Sequence, residues 1–147
     1  MKSWIVFLLA LFVFVGCSFD PIDGKCKKKL EELRQKPRDP RLFGVWILEE
    51  HKERLEDPDP HKQIAFQFFR EDGYWQLALS RSVLYRFASD VWYTDKDTLF
   101  VHGCKYGYFA LDKDVYKVNG DTLMLYTVSK KTGDVDKSPR VYVRYKE

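Results

Sequence analysis

Apolar and polar residues alternate with a period of two along most of the chain after Leu42. This alternation is typical of strands that bury one face. Ile64, Phe66 and Phe68 share one side of a predicted strand, and the Glu-Asp-Gly sequence at 71 to 73 predicts a tight turn into the next strand. The predicted strands are residues 43 to 50, 63 to 70, 74 to 81, 83 to 88, 90 to 94, 98 to 102, 106 to 111, 115 to 118, 122 to 129 and 140 to 146.

An internal repeat indicates how these strands are joined. Residues 91 to 102 align without gaps on residues 115 to 126, and each copy holds a strand, a polar turn and Asp-Thr-Leu at the start of the return strand. Repeated hairpins form a meander, and about eight strands with one apolar face tend to close into a barrel. The sequence therefore predicts an all-β, eight-stranded antiparallel up-and-down barrel over residues 42 to 147, and a β-sandwich is the alternative.

A short helix is predicted before the barrel, within a tether that spans residues 17 to 41. The candidate helix covers residues 25 to 36, and Pro37 ends it. Cys26, Leu30 and Leu33 fall on one stripe of this helix, so its apolar face carries a cysteine.

The first sixteen residues have the pattern of an export signal. Lys2 supplies a positive charge, and the following apolar run of about a dozen residues is shorter than the roughly 20 that a spanning helix needs. Phe-Val-Gly-Cys at 14 to 17 resembles the lipobox, which implies a lipoprotein signal peptide at residues 1 to 16 and lipidation of Cys17. An ordinary secretory signal is the alternative. By resemblance to known sorting signals, Ser18 favours the outer membrane of the cell envelope.

Composition limits the possible partners. The 147 residues suffice for one domain with a hydrophobic core, and we expect a monomer. The 25 Lys and Arg residues nearly balance the 22 Asp and Glu residues, and no concentrated basic face is apparent. Binding to nucleic acid is therefore not expected.

Three motifs resemble the small lipocalin-like domains of bacterial, Bacteroidetes-type lipoproteins: Leu-Phe-Gly-Val-Trp at 42 to 46, the hairpin at 68 to 74, and Tyr-Lys-Val-Asn-Gly-Asp-Thr-Leu at 116 to 123. The resemblance covers residues 42 to 146. It implies that Trp46, which follows Gly44 in a Gly-x-Trp motif, crosses the closed end of the barrel. It also implies that a basic residue of the last strand, Arg140 or Arg144, stacks on Trp46 through a cation–π contact.

With Cys17 acylated, Cys26 and Cys104 are the one possible intrachain cysteine pair. They either form a disulfide, which the oxidising envelope permits, or remain two separate thiols. The chain has no Cys-x-x-Cys sequence, so redox catalysis is not expected.

Several aromatic residues are predicted to face the barrel interior. They either line a ligand cavity or fill it, since an eight-stranded barrel allows both. These residues are Phe66, Phe68, Trp75, Tyr85 and Trp92.

Nothing in the sequence indicates catalysis, a cofactor or a metal site. His51, His61 and His102 lack metal-motif spacing, and no serine lies in a Gly-x-Ser-x-Gly context. We therefore predict a non-catalytic, membrane-anchored lipoprotein whose barrel binds a small hydrophobic or amphipathic ligand. The alternative is an envelope interaction protein with a solid core that docks a protein or glycan partner.

Overall fold

The structure is a computed structural model that describes residues 21–55, 65–78, 90–105 and 108–146. Helix α1 (Pro21–Arg34) is followed by a 3-10 helix at Pro40–Leu42, and a second 3-10 helix occupies Glu49–Leu55. The predicted strand at 83 to 88, the predicted leader and Cys17 lie outside the described residues. The strands are β1 (Gly44–Leu48), β2 (Phe66–Phe69), β3 (Trp75–Ala78), β4 (Val91–Asp95), β5 (Thr98–Lys105), β6 (Tyr108–Asn119), β7 (Thr122–Thr127) and β8 (Arg140–Tyr145).

The eight strands form one antiparallel sheet in the order β3-β2-β1-β8-β7-β6-β5-β4. The first strand pairs with the last, so the sheet curls until its two edges, β3 and β4, approach each other. Two backbone hydrogen bonds join these edges, from Trp75 to Asp90 at 2.9 Å and from Trp92 to Gly73 at 3.0 Å. The predicted up-and-down barrel is confirmed in this nearly closed form, and one continuous sheet rules out the sandwich.

The side chains that point into the barrel form its main core. They pack most densely around Trp46 and Trp92, which are fully buried. The other buried members of this core are Leu42, Phe69, Leu99, Tyr116, Leu123, Leu125 and Tyr142.

Among the described residues, no helix combines the length and the apolar character needed to cross a bilayer.

A second, smaller core lies on the outer face of the sheet, where the 3-10 helix Glu49–Leu55 covers β1 and β8. Ile47 and Phe66 are its buried members, and Phe68 packs beside them. The predicted inward orientation of Phe66 and Phe68 is therefore wrong. Gln67, between them, takes the inward position opposite Trp46 and Leu77. Strand β2 has apolar residues on both faces because the 3-10 helix shields the outer one.

Helix α1 packs on the outer face of β4 and β5. A disulfide joins Cys26 of the helix to Cys104 of β5, with 6.1 Å between their Cα atoms, so of the two alternatives for these cysteines the bridged one is present. Leu30 is buried on the same helix face. Beneath the helix lies His102, which is 5% exposed. In the internal repeat of the sequence His102 aligns with Tyr126, which predicts a position on the strand surface. Helix α1 covers this position in the structure.

Candidate functional site

The two ends of the barrel differ, and we call the end at Trp46 the closed end. The 3-10 helix Pro40–Leu42 lies across this end, and Leu42 is fully buried there. The indole Nε1 of Trp46 donates a hydrogen bond to the carbonyl oxygen of Leu42 at 2.8 Å. This bond satisfies the only polar atom of a fully buried indole, as a closed core requires.

Arg144 completes the closed end. Its guanidinium carbon lies 4.2 Å from the centre of a Trp46 ring, and its nitrogens donate to the carbonyl oxygens of Phe43 and Arg41. Gly44 has a φ of +118°, and a Cβ at this position would lie 3.0 Å from the Arg144 side chain. The Gly-x-Trp motif thus provides both the ring and the space that the guanidinium occupies above it.

The tether is fixed at the same end. The hydroxyl of Tyr116 donates to Asp39 at 2.8 Å, and the backbone N–H of Thr94 donates to the carbonyl oxygen of Pro37 at 3.1 Å. Burial, together with the bond to Asp39, raises the pKa of Tyr116 to about 12. The hydrogen bond from Arg41 lowers the pKa of the Asp39 carboxyl, which therefore stays ionised at neutral pH.

The opposite end, which we call the mouth, opens into a cavity of about 720 Å³. This end is formed by residues 128 to 130, which follow β7, and by Arg140, where β8 begins. A volume of this size lies within the range of small-molecule sites. The barrel interior is therefore packed at its closed end and hollow toward its mouth. The apolar side chains of the cavity wall are Ala65, Trp75, Leu77, Leu99, Val101, Leu125 and Val128.

Several polar side chains line the cavity. Arg140 donates to both carboxylate oxygens of Asp114 at 3.0 Å, and Asp114 is 9% exposed. Deeper in, the buried amide of Gln67 donates to the hydroxyl of Tyr142 at 2.8 Å. Burial raises the pKa of Tyr142, so this hydroxyl keeps its proton at neutral pH. A second ion pair, Lys130 with Asp112 at 2.9 Å, lies at the exposed rim.

One donor in the wall has no partner within the described part of the chain. The indole Nε1 of Trp75 is buried, and no described acceptor is within hydrogen-bond distance of it. A buried donor without an acceptor costs free energy, and because this nitrogen is covered by neighbouring atoms it is not exposed to the cavity. The cavity thus presents an apolar wall and two ion pairs, Arg140 with Asp114 and Lys130 with Asp112.

The predicted site residues fall into different places. Trp75 lines the cavity, whereas Trp92 is buried in the packed half, where its Nε1 donates to the carbonyl oxygen of Arg70 at 3.0 Å. Tyr85 lies outside the described residues. Of the two candidates for stacking on Trp46, Arg144 occupies that position and Arg140 lies in the cavity instead.

Gln67, Asp114 and Tyr142 are absent from the sequence predictions. A polar residue at an inward position of a period-two strand is the available signal for Gln67 and Asp114, because such a residue needs a buried partner. Tyr142 follows the apolar pattern of β8 and carries no separate signal.

The described residues contain no group of three or more His, Cys, Asp or Glu side chains that could hold a metal ion. No protein-family model, curated protein or solved structure matches this chain, so its family resemblance rests on the three sequence motifs.

Proposed function

We propose that this chain is a lipid-anchored envelope protein whose barrel binds one small amphipathic molecule in the cavity at its mouth. The observation that carries the proposal is the 720 Å³ cavity with its apolar wall. A ligand that buries an apolar chain against Leu77, Leu99 and Val101 gains roughly 25 cal/mol for each Å² removed from water. The anchoring half rests on Gly16-Cys17 and the apolar run before it.

The polar group of the ligand would lie among the polar side chains of the cavity. Arg140 is already neutralised by Asp114, and Lys130 by Asp112. The ammonium of Lys113, the remaining charged residue of the lining, lies 5.8 Å from the centre of the Phe100 ring. A neutral or zwitterionic head group fits this arrangement better than a lone carboxylate, which would face two aspartates.

The alternative function, docking of a partner by a solid barrel, has less support. The interior is hollow toward the mouth, and the large hydrophobic residues most exposed in the described part of the chain are two separate ones, Leu111 and Val135. Docking surfaces are expected as contiguous apolar patches.

Titration with a one-chain phosphatidylethanolamine that carries a dansyl group on its acyl chain tests the proposal. The mature chain with Cys17→Ser is used, and energy transfer from the barrel tryptophans reports binding. Val101→Phe, which places a ring in the cavity, is expected to weaken binding at least about tenfold, or 1.4 kcal/mol. Leu111→Phe adds the same ring on the neighbouring strand outside the cavity, and its binding should match the wild type.

Equal binding by both variants, or no energy transfer at any probe concentration below the micelle threshold, would contradict the ligand half of the proposal. Mass spectrometry of the protein isolated from bacterial membranes tests the anchoring half. The expected result is a diacylglyceryl and acyl modification on Cys17, and an unmodified first residue would contradict it.

A further inference from the structure

We infer that the barrel is held with its mouth toward the bilayer and takes a one-chain amphipath directly from the membrane that anchors it. This inference rests on the proposed function, because it requires both the lipid on Cys17 and the cavity. It adds the orientation of the barrel and the source of the ligand.

The orientation follows from the direction of helix α1. Cys26, near the start of the helix, is bridged to Cys104, and Cys104 lies three residues beyond the cavity-lining Val101 along β5. At about 3.3 Å per strand residue, Cys104 is roughly 10 Å farther toward the mouth than Val101. The start of α1 is therefore beside the mouth.

The other end of the helix lies toward the closed end. Arg34 is stacked 4.9 Å from the centre of the Tyr74 ring and donates to the carbonyl oxygen of Asp72 at 3.1 Å. Pro37 accepts a hydrogen bond from Thr94, which is paired with Leu99 near the start of β5. Helix α1 thus runs antiparallel to β5, from the mouth toward the closed end, over a length of about 21 Å.

The tether is too short to reverse this arrangement. Three residues lie between Cys17 and Pro21, where α1 begins, and the four residue-to-residue steps span at most about 14 Å when fully extended. The acyl chains on Cys17 would lie within the bilayer. The start of α1, and with it the mouth, is consequently confined to within about 14 Å of the membrane surface, and the closed end lies a helix length farther from this attachment point.

The helix is also rigidly attached to the barrel and suited to that surface. Besides the disulfide, Leu30 is buried against the barrel, and Lys36, two residues after the end of the helix, lies 4.5 Å from the centre of the Tyr93 ring. Four exposed lysines lie in the half of the helix nearest the anchor, and basic residues in such a position are attracted to anionic head groups. They are Lys25, Lys27, Lys28 and Lys29.

The ligand class follows from the source. A bilayer offers amphipaths whose acyl chains point away from water, and a cavity of about 720 Å³ suits one drug-sized molecule. A lipid monomer that leaves the surface into an adjacent mouth keeps its chain out of water along the way. Transfer through bulk water exposes the acyl chain, and the free-energy cost of that exposure slows the transfer.

The test uses the full lipidated chain in vesicles of phosphatidylethanolamine and phosphatidylglycerol. The disulfide and the thioether leave no reactive thiol, so a single cysteine can be introduced and labelled with a fluorophore. Lys131→Cys places the label at the mouth, and Asn119→Cys places it at the last residue of β6, beside the closed end. Nitroxide-labelled head groups are expected to quench the first label at least about twice as strongly as the second. Equal quenching, or stronger quenching at residue 119, would overturn the inferred orientation.

A matched variant carries about twenty Gly and Ser residues between Asp20 and Pro21, which keeps the anchor, the disulfide and the cavity but releases the orientation. This insertion is expected to abolish the quenching difference and to slow uptake of the dansyl-labelled lysolipid from the same vesicle by at least about threefold. Unchanged uptake would overturn direct transfer from the bilayer.

Failure of the proposed function gives different results. A chain that does not float with vesicles lacks the anchor, and a chain that floats but never responds to the dansyl probe lacks the ligand site. Only a floating, probe-binding chain with no quenching asymmetry contradicts the orientation alone.

Discussion

The guanidinium of Arg144 is stacked on the ring of Trp46 and at the same time binds two carbonyl oxygens of the segment that enters the barrel. It also lies 3.2 Å from the carboxylate of Asp121, in the turn between β6 and β7. One side chain of the last strand thereby connects the first strand, the 3-10 helix and a distant turn. Closure of this end depends on the planar shape of the guanidinium as much as on its charge.

Replacing Arg144 with Lys should therefore destabilise the protein although the charge is kept. An ammonium group cannot stack on the ring and bind both carbonyl oxygens. The expected loss is about 1 to 3 kcal/mol in the free energy of unfolding, measured by urea denaturation with the disulfide intact. Arg70→Lys is the control, because its exposed pair with Asp72 should change by no more than about 0.5 kcal/mol. Equal effects of the two substitutions would contradict a special role for Arg144.

Removing the disulfide should cost more than any single contact of helix α1. Cys26 and Cys104 are 78 residues apart, and a loop of that length contributes about 4 kcal/mol by loop-closure entropy. The double variant Cys26→Ala and Cys104→Ala is expected to lower the urea midpoint strongly. Reductant should lower the wild-type midpoint to a similar value and leave the variant unaffected. A midpoint that does not respond to reductant in the wild type would contradict this prediction.

The strands and the barrel could be predicted from the sequence because period-two alternation and the repeated hairpin are local signals. Which face of β2 points into the barrel could not be predicted, because Phe66, Phe68 and Phe69 place apolar residues on both faces. The register with β1 decides it, by setting Gln67 beside Trp46. Likewise, Arg140 and Arg144 are on the same face of β8, and only the barrel axis distinguishes the mouth from the closed end.

The pair of Gln67 and Tyr142 should be strongly non-additive. Tyr142→Phe removes the acceptor of a buried amide and is expected to cost about 1 to 3 kcal/mol in the free energy of unfolding. Gln67→Leu in the same chain removes the donor as well, and the double variant should regain most of that loss. Calorimetric or urea unfolding of the two single variants and the double variant gives the coupling. Additive losses would show that the hydrogen bond contributes little.

His102 should make stability depend on pH in the acidic range. Its burial, followed by the charges of Lys29 and Lys36, lowers its pKa to about 4, whereas the unfolded chain has the ordinary value near 6.5. Between these two values the unfolded chain binds the proton more tightly, so stability is complete above about pH 6.5 and falls as the pH drops toward 4. NMR titration of the imidazole should give a midpoint near 4, and His102→Gln should flatten the stability profile in this window. A midpoint near 6.5 would contradict burial of this side chain under α1.

Substituting alanine for Gly103 and for Gly24 should change the free energy of unfolding in opposite directions. A Cβ on Gly103 would lie 2.2 Å from a side-chain oxygen of the buried Asp90, so Gly103→Ala has to displace a buried carboxyl group. The expected loss is about 2 kcal/mol or more in the free energy of unfolding. Nothing lies within 4 Å of a Cβ on Gly24, which is inside helix α1, and Gly24→Ala should stabilise the chain by about 0.5 to 1 kcal/mol. Urea unfolding of both variants checks the two signs, and a neutral Gly103→Ala would mean that Asp90 can move away from β5 at little cost.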